Sequence, residues 1–443
     1  MDKPPEQTPP KLAMEPREGG EIRSRWEWVE PAVWTERMLA ALETGIEGGK
    51  WFRLIDKVWA EKNLGRALEK VIENGGSAGI DRQSIRDLGR HKEEEIVRLQ
   101  RELREQSYRP QAVRRVWIEK PGSKEKRPLG IPAVRDRTVQ GALRHVIEPI
   151  FERDFAPQSY GFRPGRGCKA ALRRVEELLE RGHGWVVDAD LKSYFDTIPQ
   201  ERLLERVAEK IADGRVLALL KAMLKAGVME SAKDWEPTES GTPQGSVISP
   251  LLSNIYLDPL DWLMAESGFE MVRYADDYVI LCRSESAAQA ALEKVREWVA
   301  KEGLTLHPEK TCIVEASQPG GFDFLGYHFE RGMKWPRKKS LARLKDTIRS
   351  KTRRTRGGSL PKICGELNQT LRGWFEYFKH SKATAFATVD GYVRGRLRSL
   401  LRQRARRRGK GHGRDHQKWP NAYFTAMGLY CLKQAHRAAC QSL

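Results

Sequence analysis

The chain has 443 residues, enough for two or three domains with cores of their own, and carries a formal net charge of +19. It holds no apolar run long enough to cross a bilayer, and its polar start, Met1-Asp-Lys-Pro-Pro-Glu, lacks the apolar core of a secretion signal, so a cytoplasmic protein is expected. Six cysteines, Cys168, Cys282, Cys312, Cys364, Cys431 and Cys440, are scattered without a Cys-x-x-Cys pair, which argues against a zinc module and against a disulfide framework.

In chain order, residues 1 to about 30 read as unstructured. Helical spacing follows near Trp34–Thr44, Trp51–Glu73 and Lys92–Gln106, with Asn74-Gly-Gly-Ser-Ala-Gly-Ile-Asp81 as a loop. Residues 108–335 mix strands with helices. Strands are expected at Val113–Glu119, Gly184–Asp190, Glu270–Tyr274, Tyr278–Arg283 and Thr311–Val314, and helices at Ala170–Arg181, Pro199–Ala212, Val247–Ala265 and Ser286–Glu302. That order predicts an α+β domain with an antiparallel sheet. From Pro336 three helices fit, Ser340–Thr355, Leu360–His380 and Ala385–Arg408, before a glycine-rich basic link and a short tail. Residues 336–443 hold 27 Lys and Arg against 5 Asp and Glu, so the excess positive charge is C-terminal and a polyanionic partner is expected. In the N-terminal stretch, Trp26, Trp28 and Trp34 are expected to pack against the body of the protein.

The run Phe269-Glu-Met-Val-Arg-Tyr-Ala-Asp276-Asp277-Tyr-Val-Ile-Leu-Cys282 places two adjacent carboxylates at a hairpin tip. Like charges so close repel, and hard divalent cations relieve that repulsion through oxygen ligands. A solvated turn would also accept Asp, so the neighbours decide. Upstream, Trp185-Val-Val-Asp-Ala-Asp190-Leu-Lys-Ser-Tyr-Phe195-Asp196 is an apolar strand ending in carboxylates. Two cations clamping a phosphoryl transfer need carboxylates from more than one strand, which makes Asp190 with Asp276 the expected bridging pair. Asp188 shares a strand face with Asp190, and Asp196 could simply cap a turn.

The ordered set Asp190-Leu-Lys-Ser-Tyr-Phe-Asp196, Gly241-Thr-Pro-Gln-Gly-Ser-Val-Ile-Ser-Pro-Leu-Leu-Ser-Asn254, Tyr274-Ala-Asp-Asp277, Leu304-Thr-Leu-His-Pro-Glu-Lys-Thr311 and Gly321-Phe-Asp-Phe-Leu-Gly326 resembles the reverse transcriptases of bacterial group II introns. Lys126-Arg-Pro-Leu-Gly-Ile-Pro132, Asp136-Arg-Thr-Val-Gln140, Gln158-Ser-Tyr-Gly-Phe-Arg-Pro-Gly-Arg166 and Leu371-Arg-Gly-Trp-Phe-Glu-Tyr-Phe378 extend the likeness over roughly residues 50–430. It implies a right-hand polymerase: an N-terminal extension in 1–50, fingers and palm in 51–335, a helical thumb or maturase domain in 336–408, and a basic nucleic-acid-binding segment in 409–443.

The resemblance implies an RNA-directed DNA polymerase with two Mg²⁺ ions held by Asp190, Asp276 and Asp277, with Leu191 in the same metal set. Phe195 matches an aromatic gate against the ribose 2′-hydroxyl, the alternative being a core ring. Tyr194 and Gln244 join it at the nucleotide, though the glycines around Gln244 equally suit a plain helix-entry loop. Lys120 and Arg127 flank a basic turn that would close on the triphosphate of a deoxynucleotide, and Lys310 matches a residue that protonates pyrophosphate. For template and primer, Arg163 and Arg166 suit a single strand, with a packed loop as the competing reading, while Arg372, Arg394, Arg396 and Arg398 would face nucleic acid from the thumb. Trp374, Tyr377 and Phe378 read as core.

Expected partners are therefore group II intron RNA, an RNA template with a DNA primer, target DNA and deoxynucleoside triphosphates. Many family members end in a nicking endonuclease rich in Cys pairs, and no such segment precedes Leu443, so this chain is not expected to cut a second strand itself. His412 and His416 read as part of an RNA-binding link. Two other readings remain from the residues alone: a relative freed from its intron and used in defence or repair, and a non-catalytic splicing factor.

Overall fold

The computed structural model describes residues 19–46, 48–119, 126–230, 235–407 and 413–441. In chain order its strands are β1 (Val113–Glu119), β2 (Lys126–Ile131), β3 (Trp185–Asp190), β4 (Val228–Met229), β5 (Trp235–Glu236), β6 (Glu270–Tyr274), β7 (Asp277–Cys282), β8 (Cys312–Glu315), β9 (Phe322–Phe324), β10 (Tyr327–Glu330) and β11 (Met333–Pro336). They form three sheets, ordered β2-β1-β4-β5, β6-β7-β3-β8 and β11-β10-β9. Every pairing is antiparallel except β1 with β4.

The sheet β6-β7-β3-β8 is the palm. Strict alternation gives it two apolar faces. Val187, Ala189, Met271, Tyr278 and Ile280 join the main core beside the helices Ser249–Glu266 and Glu285–Lys301, whereas Val186, Val272, Val279 and Leu281 pack with the helix Cys168–Glu180 and with Phe322, Phe324, Tyr327, Phe329 and Phe378. That second core is the seam between palm and thumb. Tyr327 Oη donates to the Tyr377 carbonyl at 2.6 Å and Tyr377 Oη to that of Leu325 at 2.7 Å, so the Trp374–Phe378 stretch serves packing, as expected.

The fingers surround the helix Val134–Glu152, which the sequence pattern missed. It is buried almost all round, so no polar face marks its period. Asp136, on its first turn, accepts from Tyr108 Oη at 2.6 Å and Gln111 N at 2.9 Å, and burial pushes its carboxyl up to about 6. A carboxyl whose folded pKa lies above its unfolded value adds stability that is complete below the unfolded value and lost as pH rises through the folded one. Melting at pH 5 is accordingly expected to exceed that at pH 7.5, with Asp136 contributing about 1 kcal/mol. Asp136→Asn, followed by thermal melting across that range, should flatten the dependence.

Two expectations about the ends are corrected. The stretch to residue 30 is not wholly irregular: Gly19–Arg25 is helical, and Trp26 and Trp34 are buried in the main core, with Trp34 Nε1 donating to the His145 carbonyl at 2.9 Å. Trp28 keeps an exposed face. The segment after 408 is more than a basic link, because Arg414–Lys418, Asn421–Ala426 and Leu432–Gln441 are helices. Trp419, Phe424 and Leu432 join the core of the thumb helices Lys338–Lys351, Leu360–Phe378 and Ala383–Arg404. Asp390 caps the last helix by accepting from Leu432 N and Lys433 N, both at 3.0 Å. His412 lies outside the described residues.

Candidate active site

In the palm, register sets the carboxylates. Asp190, the last residue of β3, stands opposite Asp277, the first of β7, and Tyr274 stands opposite the same Asp277 across the hairpin. Ala275 and Asp276 form the two-residue turn, with Ala275 at φ +61°. Asp190, Asp276 and Asp277 are thus carried by three adjoining backbone positions at one end of the sheet.

The turn is fixed from below. Arg273 is fully buried, its Nε donating to Asp261 Oδ1 at 2.8 Å and its Nη2 to Asp261 Oδ2 at 2.5 Å. Its Nη1 reaches Asn254 Oδ1 at 3.0 Å and the Ala275 carbonyl at 2.9 Å. Asn254 Nδ2 donates to the Gly161 carbonyl at 2.9 Å, and a Cβ at Gly161 would stand 2.2 Å from Ala275 N. Arg273 and Asp261 were not singled out from sequence. Their spacing of twelve residues crosses a helix–strand junction, so no local pattern announces the pair.

Beside the turn, the segment Leu304–Thr311 clasps the end of β3. His307 N donates to the Asp190 carbonyl at 2.7 Å, Leu191 bridges Leu306, and Lys310 Nζ lies 2.5 Å from Asp190 Oδ2. Leu191 has a buried aliphatic side chain, so it can serve a cation only through its main chain. Burial, then the Asp190 carboxylate, raises Asp276, while Arg273 and Lys310 act the other way. Crowding at the palm floor and the Asp276 carboxylate push Asp277 up to about 6, although its side chain keeps an open face to solvent; Arg337 opposes this. Asp188 is raised to about 7 by burial and then by Asp277.

These residues fit a hard divalent cation: the donors are oxygens, Asp190 raises Asp276 and Asp276 raises Asp277, and an ammonium lies against Asp190. Among the described residues no three His, Cys, Asp or Glu side chains are gathered closely enough to hold an ion as they stand.

The loop Gly241–Gly245 links this floor to the fingers. Thr242 N donates to the Phe195 carbonyl at 2.7 Å, and Gly130 N to the Gln244 carbonyl at 2.6 Å. Gly241, at φ +81°, would set a Cβ 2.5 Å from the Phe195 carbonyl oxygen, and Gly245, at φ +106°, one 2.4 Å from that of Gly130. Gln140 Oε1 accepts from Ser246 Oγ at 2.8 Å and Val247 N at 2.9 Å, holding the loop from the fingers core. Gly241→Ala should cost on the order of 2 kcal/mol through left-handed strain and contact with fixed backbone, and should displace Phe195. Chemical denaturation and nucleotide KM would register both effects.

Several expected contacts are placed elsewhere. Tyr194 is buried, donating from Oη to the Ser253 carbonyl at 2.9 Å, so it belongs to the core beneath Phe195 rather than to a nucleotide pocket; the two rings meet edge-on at 5.4 Å. Arg163 is also turned inward. It forks onto Glu152 at 2.8–3.0 Å and caps the Ala156 and Ser159 carbonyls at 2.6 and 3.0 Å, leaving no free guanidinium for a template. Arg398 is buried on the Trp419 carbonyl and Asn421 Oδ1, which fixes the C-terminal segment. Arg396 ties the Thr352 carbonyl and Oγ1 to the last thumb helix. Arg166 donates to the Pro157 carbonyl at 2.7 Å, and Arg372 is exposed above the Tyr430 ring. Arg394 is half-buried, Arg127 is exposed on β2, and Lys120 lies outside the described residues.

A palm sheet with a strand-end aspartate beside a hairpin-tip pair, joined to fingers and a helical thumb, defines a reverse-transcriptase fold. The model for reverse transcriptase (RNA-dependent DNA polymerase) matches residues 118–329, and that for the group II intron maturase-specific domain matches residues 341–419. The chain belongs to the group II intron-encoded reverse transcriptases that carry a maturase domain. Among its relatives, protein YkfC of Escherichia coli (strain K12) is 34% identical over 320 residues, covering 63% of this chain and 83% of that protein. The group II intron-encoded protein LtrA of Lactococcus lactis subsp. cremoris is 43% identical over 169 residues, 38% of this chain and 28% of LtrA. Nuclear intron maturase 4, mitochondrial, of Arabidopsis thaliana is 35% identical over 138 residues, 31% of this chain and 17% of that protein.

Proposed function

We propose that this reverse transcriptase extends a DNA primer on an RNA template with deoxynucleoside triphosphates, and that its maturase domain holds a host intron RNA and engages the DNA target. The single observation that carries the polymerase reading is the register of Asp190 against Asp277 beside the Asp276 turn. Asp190, Asp276 and Asp277 would hold two Mg²⁺ ions, which would supply activation of the primer 3′-hydroxyl and charge neutralisation at the departing pyrophosphate. Lys310, whose Nζ lies 2.5 Å from Asp190 Oδ2, would hand a proton to that leaving group. Arg127 meets the triphosphate from the fingers hairpin, and Gln244 with Phe195 frames the sugar. The exposed basic side chains of the thumb supply phosphate contacts whose strength falls steeply with salt.

Phe195→Ala is expected to retain deoxynucleotide incorporation and to relax discrimination against ribonucleotides by at least about tenfold, since a steric gate acts by excluding one hydroxyl. Single-nucleotide kcat/KM for the two sugars measures it; unchanged discrimination would remove Phe195 from the gate. For the maturase role, addition of protein to a cognate intron precursor at low Mg²⁺ should speed splicing, and Asp276→Ala should do so equally. Splicing stimulation that disappears with Asp276 would contradict separate roles for the two domains.

A further inference from the structure

The loop after the helix Val134–Glu152 exposes an aromatic ring next to the buried Arg163. Phe162 is 43% exposed and sits at φ +59°, a left-handed conformation uncommon for a bulky residue. The loop is not loose at this point. Tyr160 N donates to the Arg273 carbonyl at 2.8 Å, Gly161 is pinned by Asn254 and pressed against Ala275, and Arg163 is anchored by Glu152 and two carbonyls. Backbone strain of this kind persists where the surroundings over-determine it, and it gathers at functional sites. Here the fixed neighbours on both sides force the ring outward.

The ring emerges beside the catalytic turn. Its centroid lies 6.3 Å from that of Tyr274, at 44°, and Tyr274 is the register partner of Asp277 on the palm face that the thumb covers. From this the geometry points to a new role: Phe162, with Tyr274, forms an aromatic platform that receives the nucleobase pair at the primer terminus, so the 3′-hydroxyl is presented to Asp190, Asp276 and Asp277. The proposal rests on the polymerase reading above. An aromatic face accepts any base, which suits an enzyme that must hold every primer end regardless of sequence. It also reassigns the nucleic-acid contact of this loop from the buried Arg163 to the exposed ring.

The test uses the full chain and an RNA–DNA duplex carrying 2-aminopurine either as the primer 3′ base or as its template partner, without nucleotide. Wild type should alter the fluorescence of at least one reporter, and the responding position says which base the ring meets. Phe162→Ala should lose that response and weaken binding of the duplex end about tenfold, whereas Phe162→Trp should keep both. Phe162→Gly should lose the response while melting no lower than wild type, because glycine relieves the left-handed strain; a purely structural ring would lower stability and binding together. A reporter response unchanged in Phe162→Ala, or no response at either position from a wild type that extends the primer, would overturn the platform. A wild type that binds duplex but does not extend it would instead overturn the polymerase reading.

Discussion

Asp276→Ala is expected to lower RNA-templated nucleotide incorporation by on the order of a thousandfold or more, with melting temperature held or raised. Preorganised groups that stabilise charge developing in a transition state are worth this much singly, and a metal-holding carboxylate supports more than one such contact. Removing Asp276 also removes a carboxylate that raises Asp277 and is itself raised by the neighbouring Asp190. Stability and activity should therefore part company at this position. Steady-state incorporation together with thermal melting checks both halves; parallel loss of the two would mean that Asp276 is a structural turn residue.

Asp261→Ala should do the reverse, acting first on stability. It leaves the buried Arg273 guanidinium without its carboxylate, and breaking one side of a buried pair typically costs about 3–5 kcal/mol. Arg273 also holds the Ala275 carbonyl, so the carboxylate turn should shift and activity should fall even below the melting point. The double change Asp261→Leu with Arg273→Met should recover much of the stability, since well-packed apolar replacements of buried pairs are often neutral, but not the activity. Denaturant unfolding and incorporation assays on the single and double variants separate these effects. Recovery of full activity in the double variant would show that the turn needs no anchor.

The palm was largely legible in the sequence because its strands are short apolar runs with carboxylates at their ends. Glu270–Tyr274 and Val113–Glu119 coincide with β6 and β1, β3 starts one residue later than expected, and β7 and β8 are each shifted by one residue. The helix Val134–Glu152 escaped because burial on every side erases periodicity, and β2 because Pro128 and Gly130 interrupt its pattern. The helices after 413 were hidden by the arginine- and glycine-rich stretch before them, although Trp419, Phe424 and Leu432 are core residues.

For the site, the ordered motifs single out Asp190, Asp276 and Asp277, which the sheet register brings to one end of the palm, and Gln244 and Phe195, whose carbonyls the bonds of the Gly241–Gly245 loop engage. What the motifs could not convey is direction. Arg163 and Arg398 look from sequence like phosphate ligands, yet Glu152 and the Trp419 carbonyl claim them. Tyr194 and Phe195 are neighbours on one short helical turn, so at most one of the two rings can face the cleft, and Tyr194 takes the core. The same inversion leaves Phe162 outside and Arg163 inside.

The polymerase site is tested most directly by incorporation of labelled deoxynucleotides on an RNA template with an annealed DNA primer and Mg²⁺, run with wild type and Asp276→Ala side by side. Extension by wild type that disappears in the variant is the expected result; no extension by either, with tight binding of intron RNA retained by both, would contradict it and leave a splicing protein without polymerase chemistry.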